Sequence, residues 1–374
     1  MRKFGVEEEL LLVDAATGRL APVAEDVLRS SAESPHFNGG QAGAGEGAAM
    51  THELKQEQLE LVSAPYTELS ALSAAMVQGR QEADRLAGRH GTRAVALGTY
   101  PMPAASRLVP LPRHLAMEKR FGITLKEQLT CGFHIHVSVA SEEEAVAVLD
   151  RIRVWLPLIL ALSSNSPYWQ GADSGYASFR YQAWRRWPTA GPTDILGSAA
   201  AYRELIKILV DSEVLLDEGM VYFDARLSAN HPTIEIRIAD VCLEAGDGAA
   251  IASLVRALVE SAAREWQAGK TPLPCPTEVL RLASWRASNL GTHGLLLHPV
   301  ENRLCNIEVA LAALVRHTGP VLEEYGDLAF VRESIRRISL VGTGADRQRK
   351  AFRSNENLRD TVFDAVEKTQ SLIA

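Results

Sequence analysis

Thr233-Ile234-Glu235-Ile236-Arg237-Ile238 is the cleanest pattern in the chain. Strict alternation over six residues reads as a β-strand with one buried face. The isoleucines mark the core side, and Glu235 and Arg237 point together to the other. Two more stretches follow the same rule. In Phe133-His134-Ile135-His136-Val137-Ser138-Val139 the histidines share one face, while Ile135 and Val137 share the opposite one. In Phe4 to Val13, Glu7 and Glu9 face one way, and Glu8 faces the other with Leu10 and Leu12. Further strands are predicted over Leu59–Val62, Arg93–Tyr100 and Val221–Leu227.

Between these strands lie helical patterns. Residues 22–34, 67–90 and 193–211 read as helices. Ser141 with Glu144 forms a capping box that opens an apolar helix running to about Ser163. Beyond Gly246 the chain reads as helices over about 247–268, 276–290, 301–325 and 346–372. The strands do not follow a βαβ rhythm, and no GxGxxG or P-loop pattern occurs. The expected fold is therefore α+β, a mostly antiparallel sheet covered by helices with a helical C-terminal third. We expect one domain over residues 1–374. Residues 35–50, with five glycines, read as a flexible loop.

Composition bounds the function. The chain has 374 residues, a net charge of −7, 47% hydrophobic and 23% charged residues. That is the balance of a globular protein with ample core material. Mild acidity argues against a nucleic-acid or anionic-membrane surface. It suits a cavity lined by carboxylates and filled by cations. Cys131, Cys242, Cys275 and Cys305 are scattered without a CxxC pair, so buried reduced thiols are expected rather than disulfides or structural zinc. Glu7-Glu8-Glu9 stands where a signal peptide's apolar run belongs, and no stretch approaches a membrane span. The expected location is the cytoplasm.

The polar faces carry the chemistry. Each is ordinary alone: solvated glutamates, core histidines, an i,i+2 ion pair. Together, three strands place acid, imidazole and guanidinium on one face. Two carboxylates one pleat apart repel each other and call for a cation. Oxygen ligands with imidazole suit Mg²⁺ or Mn²⁺. Such ions with an arginine fork make a site for phosphoryl transfer from ATP. Glu53, Glu57 and Glu60 add carboxylates, but Glu53 has the opposite parity to Glu60. A straight strand separates them, so both reach one site only across a loop or bulge.

These residues resemble the glutamate–cysteine ligase type 2 family of carboxylate–amine ligases, within the glutamine synthetase superfamily. The segments that carry the likeness are GVEEE (5–9), ELKQEQLELVS (53–63), GTYPMP (98–103), TCGFHIHVSV (130–139), SNSPYWQGADSGYASFRYQAWRRWPTAGP (164–192) and PTIEIRIADV (232–241). The resemblance implies a curved antiparallel sheet with the active site on its concave face. It implies that Glu9, Glu53 and Glu60 ligate a metal on the amino-acid side. Glu7, His134 and Glu235 are then ligands of the metal on the ATP β/γ-phosphates, with a third ion between Glu7 and Glu235. His136 lies near the phosphates, and Arg237 holds the transferred phosphate or the substrate carboxylate. Arg180 and Arg226 are further candidates for anion contacts, and Trp184 and Trp187 either line an acceptor pocket or pack. The implied reaction joins the γ-carboxylate of L-glutamate to an amine such as L-cysteine at the expense of ATP. A small-molecule phosphotransferase and a non-catalytic nucleotide-binding relative are the alternatives. A homodimer is expected, because the C-terminal third has more apolar faces than one sheet needs.

Overall fold

The computed structural model describes residues 1–31, 34, 36, 37 and 48–373. Its strands are β1 (Phe4–Asp14), β2 (Ala49–His52), β3 (Gln58–Val62), β4 (Thr92–Val95), β5 (Gly132–Ser138), β6 (Tyr168–Trp169), β7 (Ala172–Asp173), β8 (Ala225–Leu227), β9 (Thr233–Asp240), β10 (Leu295–Leu297) and β11 (Leu304–Asn306). Seven of them form one sheet in the order β2-β3-β1-β5-β9-β8, with β4 beside the second half of β1. Every pairing is antiparallel. The pairs β6–β7 and β10–β11 are separate ribbons.

Alternation decides the two faces. Phe4, Val6, Phe133, Ile135, Val137, Ile234, Ile236 and Ile238 are all buried in one apolar core. The helix Ala245–Gln267 lies against β1 and β5 on this side. Burial of such side chains contributes roughly 1.5–3 kcal/mol each. Glu8 also points into the core, as its parity requires, and meets Arg80 of the helix Leu69–Gly88. A second core around Leu10, Leu12, Met50, Leu59 and Val95 fills the far end of β1.

Register brings the polar residues together on the opposite face. Glu7 stands across from His134, Glu9 from Glu60, and His136 from Glu235. The β5–β9 ladder shifts between Phe133 and Ile135, so β9 carries an extra residue beside His134.

Several boundaries differ from the sequence reading. The apolar helix expected from Ser141 to Ser163 is two helices, Glu142–Ile152 and Leu156–Ser163. Pro157 accounts for the break, because it fits a first turn and not a helix interior. Ser141 does cap it, accepting from the Glu144 N–H at 3.1 Å. The last predicted helix is likewise two, Gly344–Asn355 and Leu358–Thr369, separated at Glu356, whose φ is 50°. The strand expected over 93–100 stops at Val95, and Val221–Asp224 precedes β8 rather than belonging to it. The glycine-rich loop expected over 35–50 lies outside the described residues except at 36, 37 and 48–50. There the expectation is corrected, because Ala49 and Met50 open β2. The four cysteines are free and buried, as expected. No helix among the described residues is long and apolar enough to cross a membrane.

Candidate active site

The polar face of the sheet floors a cavity of about 940 Å³. Glu7 and Glu9 of β1, Glu60 of β3, His134 and His136 of β5, Arg226 of β8, and Glu235 and Arg237 of β9 all line it. Glu53 lines it too. The parity problem dissolves because residues 53–57 turn between β2 and β3, with Thr51 facing Glu60 across the ladder. Buried Lys55 fixes that turn by donating to the carbonyls of Leu125 (2.9 Å) and Lys126 (3.3 Å).

Two halves of the floor differ in electrostatics. On one side, His134 Nδ1 lies 2.9 Å from Glu7 Oε2 and His136 Nε2 lies 3.1 Å from Glu7 Oε1. Burial opposes the charged form of Glu7, and its contacts with both imidazoles outweigh burial. Its carboxyl therefore sits well below the usual range. Glu235 accepts from Arg226 Nε (2.7 Å) and Nη2 (3.3 Å), and pairs with Arg237. Burial again opposes, but the two guanidinium charges hold Glu235 strongly ionised. On the other side, burial and the charge of Glu9 push Glu53 up to about 8. Burial and the charges of Glu7, Glu53 and Glu9 raise Glu60 well above normal.

This second half is short of positive charge, and that supports a cation site. Ligand atoms of Glu7, Glu60 and His134 lie within 4.8 Å of one another, as do those of Glu7, His136 and Glu235. Buried His136 Nε2 has no aligned hydrogen-bond partner. Oxygen-rich triads with one imidazole suit Mg²⁺ or Mn²⁺. These triads regroup the sets inferred from sequence: Glu60 joins Glu7 and His134, and His136 takes the place of His134 beside Glu7 and Glu235. Glu9 turns one oxygen onto the Gly132 N–H (2.6 Å), and Glu53 turns one onto the Leu54 N–H (2.7 Å).

Arg180 departs from expectation. It is buried and absent from the cavity wall. Its fork reaches the carbonyls of Ile238 (3.4 Å) and Arg237 (3.3 Å), and Nη1 lies 3.7 Å from Asp240. It braces β9 at the end of the polar face, beside Gly132. Gly132 makes room for it, since a Cβ there collides with Arg180 Nη2 and lies 3.1 Å from His134 Nε2. Gly132→Ala is therefore expected to cost about 1–3 kcal/mol of stability through overpacking. Turnover should fall in parallel, as His134 shifts. Urea unfolding and steady-state rates on the same preparation check both.

The walls come from segments that sequence alternation does not reach. Trp184 and Trp187 both line the cavity and both pack, with Trp187 buried against Phe121 and Tyr222. Trp187 Nε1 donates to Gln128 Oε1 at 3.2 Å. Arg237 lies 5.8 Å from the Tyr222 ring centroid, within cation–π range. Arg113, His114 and Met117 enter from the helix Pro112–Phe121, a region the sequence reading left unassigned. Its signal was Pro112 at the start and Gly122 at the stop. Thr233 was also missed, and its hydroxyl lies 3.0 Å from His136 Nδ1.

Comparison with known proteins adds an independent line. A family model described as glutamate-cysteine ligase family 2 matches residues 3–367. A putative glutamate–cysteine ligase 2-1 of Paenarthrobacter aurescens is 47% identical over 99% of this chain and 96% of its own length. A protein of the same description from Streptomyces avermitilis is 45% identical over 99% of this chain and all of its own length. Among solved structures, the glutamate–cysteine ligase of Francisella tularensis, in complex with AMP, superposes with a TM-score of 0.68. Identity is 14%, over 99% of this chain and 89% of that one. A bifunctional glutathione synthetase of Pasteurella multocida gives a TM-score of 0.69 at 16% identity, over 99% of this chain and 52% of that one. At these identities the likeness is one of fold.

Proposed function

The chain belongs to glutamate–cysteine ligase family 2, and we propose that it is an ATP-dependent carboxylate–amine ligase working through an acyl phosphate. The donor is the γ-carboxylate of L-glutamate, and the acceptor is an amine such as L-cysteine. The observation that carries this reading is the cavity floor: four glutamates, two histidines and two arginines on one face of adjoining strands, with Glu53 reaching in from the turn between β2 and β3. The AMP held by the Francisella tularensis ligase supports a nucleotide in the same fold.

In the first step a γ-carboxylate oxygen attacks the γ-phosphorus of ATP in line. The bond from that phosphorus to the β-bridging oxygen breaks, and ADP leaves. In the second step the amine nitrogen attacks the acyl carbon, the carbon–oxygen bond to phosphate breaks, and the ammonium proton passes to a base. Glu7, His134 and Glu235 are the residues to hold a divalent cation at the phosphates, and Glu9, Glu53 and Glu60 one at the amino acid. Glu7 and Glu235 would together hold a third. Bound there, the cations supply charge neutralisation for the transferring group. Arg237, set between Glu235 and the Tyr222 ring, presents positive charge to the phosphoryl oxygens. Arg226 holds Glu235 in place with backbone carbonyls of Gly219 and Val221 behind it. His136, oriented by Thr233, donates toward the phosphates. Trp184, Trp187, Tyr222 and Met117 keep water from the acyl phosphate.

The test is ADP release from MgATP with L-glutamate across a panel of amines. Release that needs both glutamate and an amine, matched by the mass of the amide product, supports the reading. A phosphorylated product formed without amine makes the protein a phosphotransferase instead. Metal binding has its own readout. Mg²⁺ at about 100 times its Kd should stabilise the fold by roughly 2.7 kcal/mol. The shift should vanish with chelator and shrink in Glu7→Gln, because Glu7 joins both triads. Thermal melts with and without Mg²⁺ check this, and an unchanged melting temperature removes the cation from the account.

A further inference from the structure

We propose that Arg113 is the anchor for a carboxylate on the amine substrate, so that this site selects an α-amino acid over the corresponding simple amine. This rests on the ligase reading above.

The cationic side chains of the cavity wall fall into two groups. Arg226 and Arg237 both spend their forks on Glu235, and His134 and His136 both face Glu7. These groups are nearly buried, and they serve the reacting end of the cavity. Arg113 is different. It comes from the opposite wall, on the helix Pro112–Phe121, and pairs with Asp217 through Nε (2.7 Å) and Nη2 (2.9 Å). That pair is 41% and 45% exposed. An ion pair in such contact with water contributes little and exchanges readily. A planar guanidinium matches a carboxylate in bidentate fashion, so a substrate carboxylate can take the place of Asp217.

The surroundings keep that place open. Gly219 lines the cavity beside the pair. A Cβ there lies 2.9 Å from Asp217 Oδ1 and 3.3 Å from Arg113 Nη2, so any side chain crowds the fork. Tyr222, which lies under Arg237, lines the same cavity as Arg113. The donor's activated carboxyl belongs with the metal-binding carboxylates on the floor. Two carboxylates then compete for Arg113, the donor's α-carboxylate and that of the incoming amine. Arg113 is assigned the second, and the two probe ligands below hold the first constant.

Two substitutions separate this role from a structural clasp. Arg113→Gln removes the anchor, and Asp217→Asn removes its competitor. The probes are γ-glutamylcysteine and γ-glutamylcysteamine, titrated calorimetrically under reducing conditions, which differ only in the acceptor carboxylate. Wild type should bind the first about 10- to 100-fold more tightly, the range expected for a hydrogen bond to a charged partner. Arg113→Gln should abolish that preference, and Asp217→Asn should widen it. Equal or absent binding of the two ligands by wild type overturns the proposal. So does weakening of both ligands by both substitutions, the mark of a clasp. Because these are binding measurements, amine-dependent ADP release by the same protein tells independently whether the ligase reading itself stands.

Discussion

Replacing Glu235 by glutamine should lower kcat for amine-dependent ADP formation by about a hundredfold to a thousandfold, with a much smaller change in KM. One carboxylate accepts two bonds from Arg226, pairs with Arg237, and lies 4.0 Å from His134 Nδ1. It also closes one of the two triads of ligand atoms. Glutamine keeps the size and loses the charge. Two nearly buried guanidinium groups are then left against a neutral amide, and the metal, the phosphate and Arg237 lose a common reference point. Removing a single preorganised electrostatic group typically costs this much in rate. Arg226→Lys should cost less, since a charge remains but the two-point contact does not. Steady-state kinetics with an ADP readout, alongside melting curves, check the prediction. Near wild-type turnover in Glu235→Gln removes Glu235 from the machinery.

The second large effect lies on the other face of the same sheet, at Glu8 of β1. Arg80→Ala should destabilise the fold by about 3–5 kcal/mol, as expected when one member of a buried ion pair is lost. Arg80 and Glu8 are both essentially inaccessible to water, and Nη2 donates to Glu8 Oε1 at 2.5 Å. The same guanidinium also satisfies the carbonyls of Cys242 (2.7 Å) and Leu243 (3.0 Å). It thereby ties β1, the helix Leu69–Gly88 and the segment after β9 into one block beneath the active face. Alanine leaves a bare carboxylate and two bare carbonyls in the core. The double variant Arg80→Met with Glu8→Leu should recover much of the loss, because the uncompensated charge is gone. Urea denaturation of the three variants measures the coupling. A single-variant cost below about 1 kcal/mol means that water reaches the pair.

These two glutamates show how much of the site the sequence displays. Alternation alone separates Glu8 from Glu7 and Glu9, and puts Glu235 with Arg237 opposite the isoleucines. The structure agrees at each of these positions, because a strand with one buried face has only one register that hides its apolar set. What alternation cannot supply is the partner of a buried charge. Arg80 lies 72 residues from Glu8 on a helix whose pattern reads as ordinary. Glu53 shows the converse: parity required a loop or bulge to bring it beside Glu60, and the chain does turn there, between β2 and β3. The helix Pro112–Phe121 escaped because Met117 alone is buried among its residues, which leaves almost no apolar periodicity to detect. The helix Leu328–Val341 was also missed, although it buries Val331, Ser334 and Ile338 at helical spacing. The site residues on strands were thus legible, and those on the walls depended on tertiary packing.

The central claim is that a carboxylate oxygen of the donor is transferred to phosphorus before the amide forms. L-Glutamate carrying ¹⁸O in its γ-carboxylate, turned over with ATP and the best amine, tests this directly by mass analysis of the phosphate released. One labelled oxygen in each phosphate, formed in step with the amide, is the predicted result. Unlabelled phosphate released alongside amide contradicts the account.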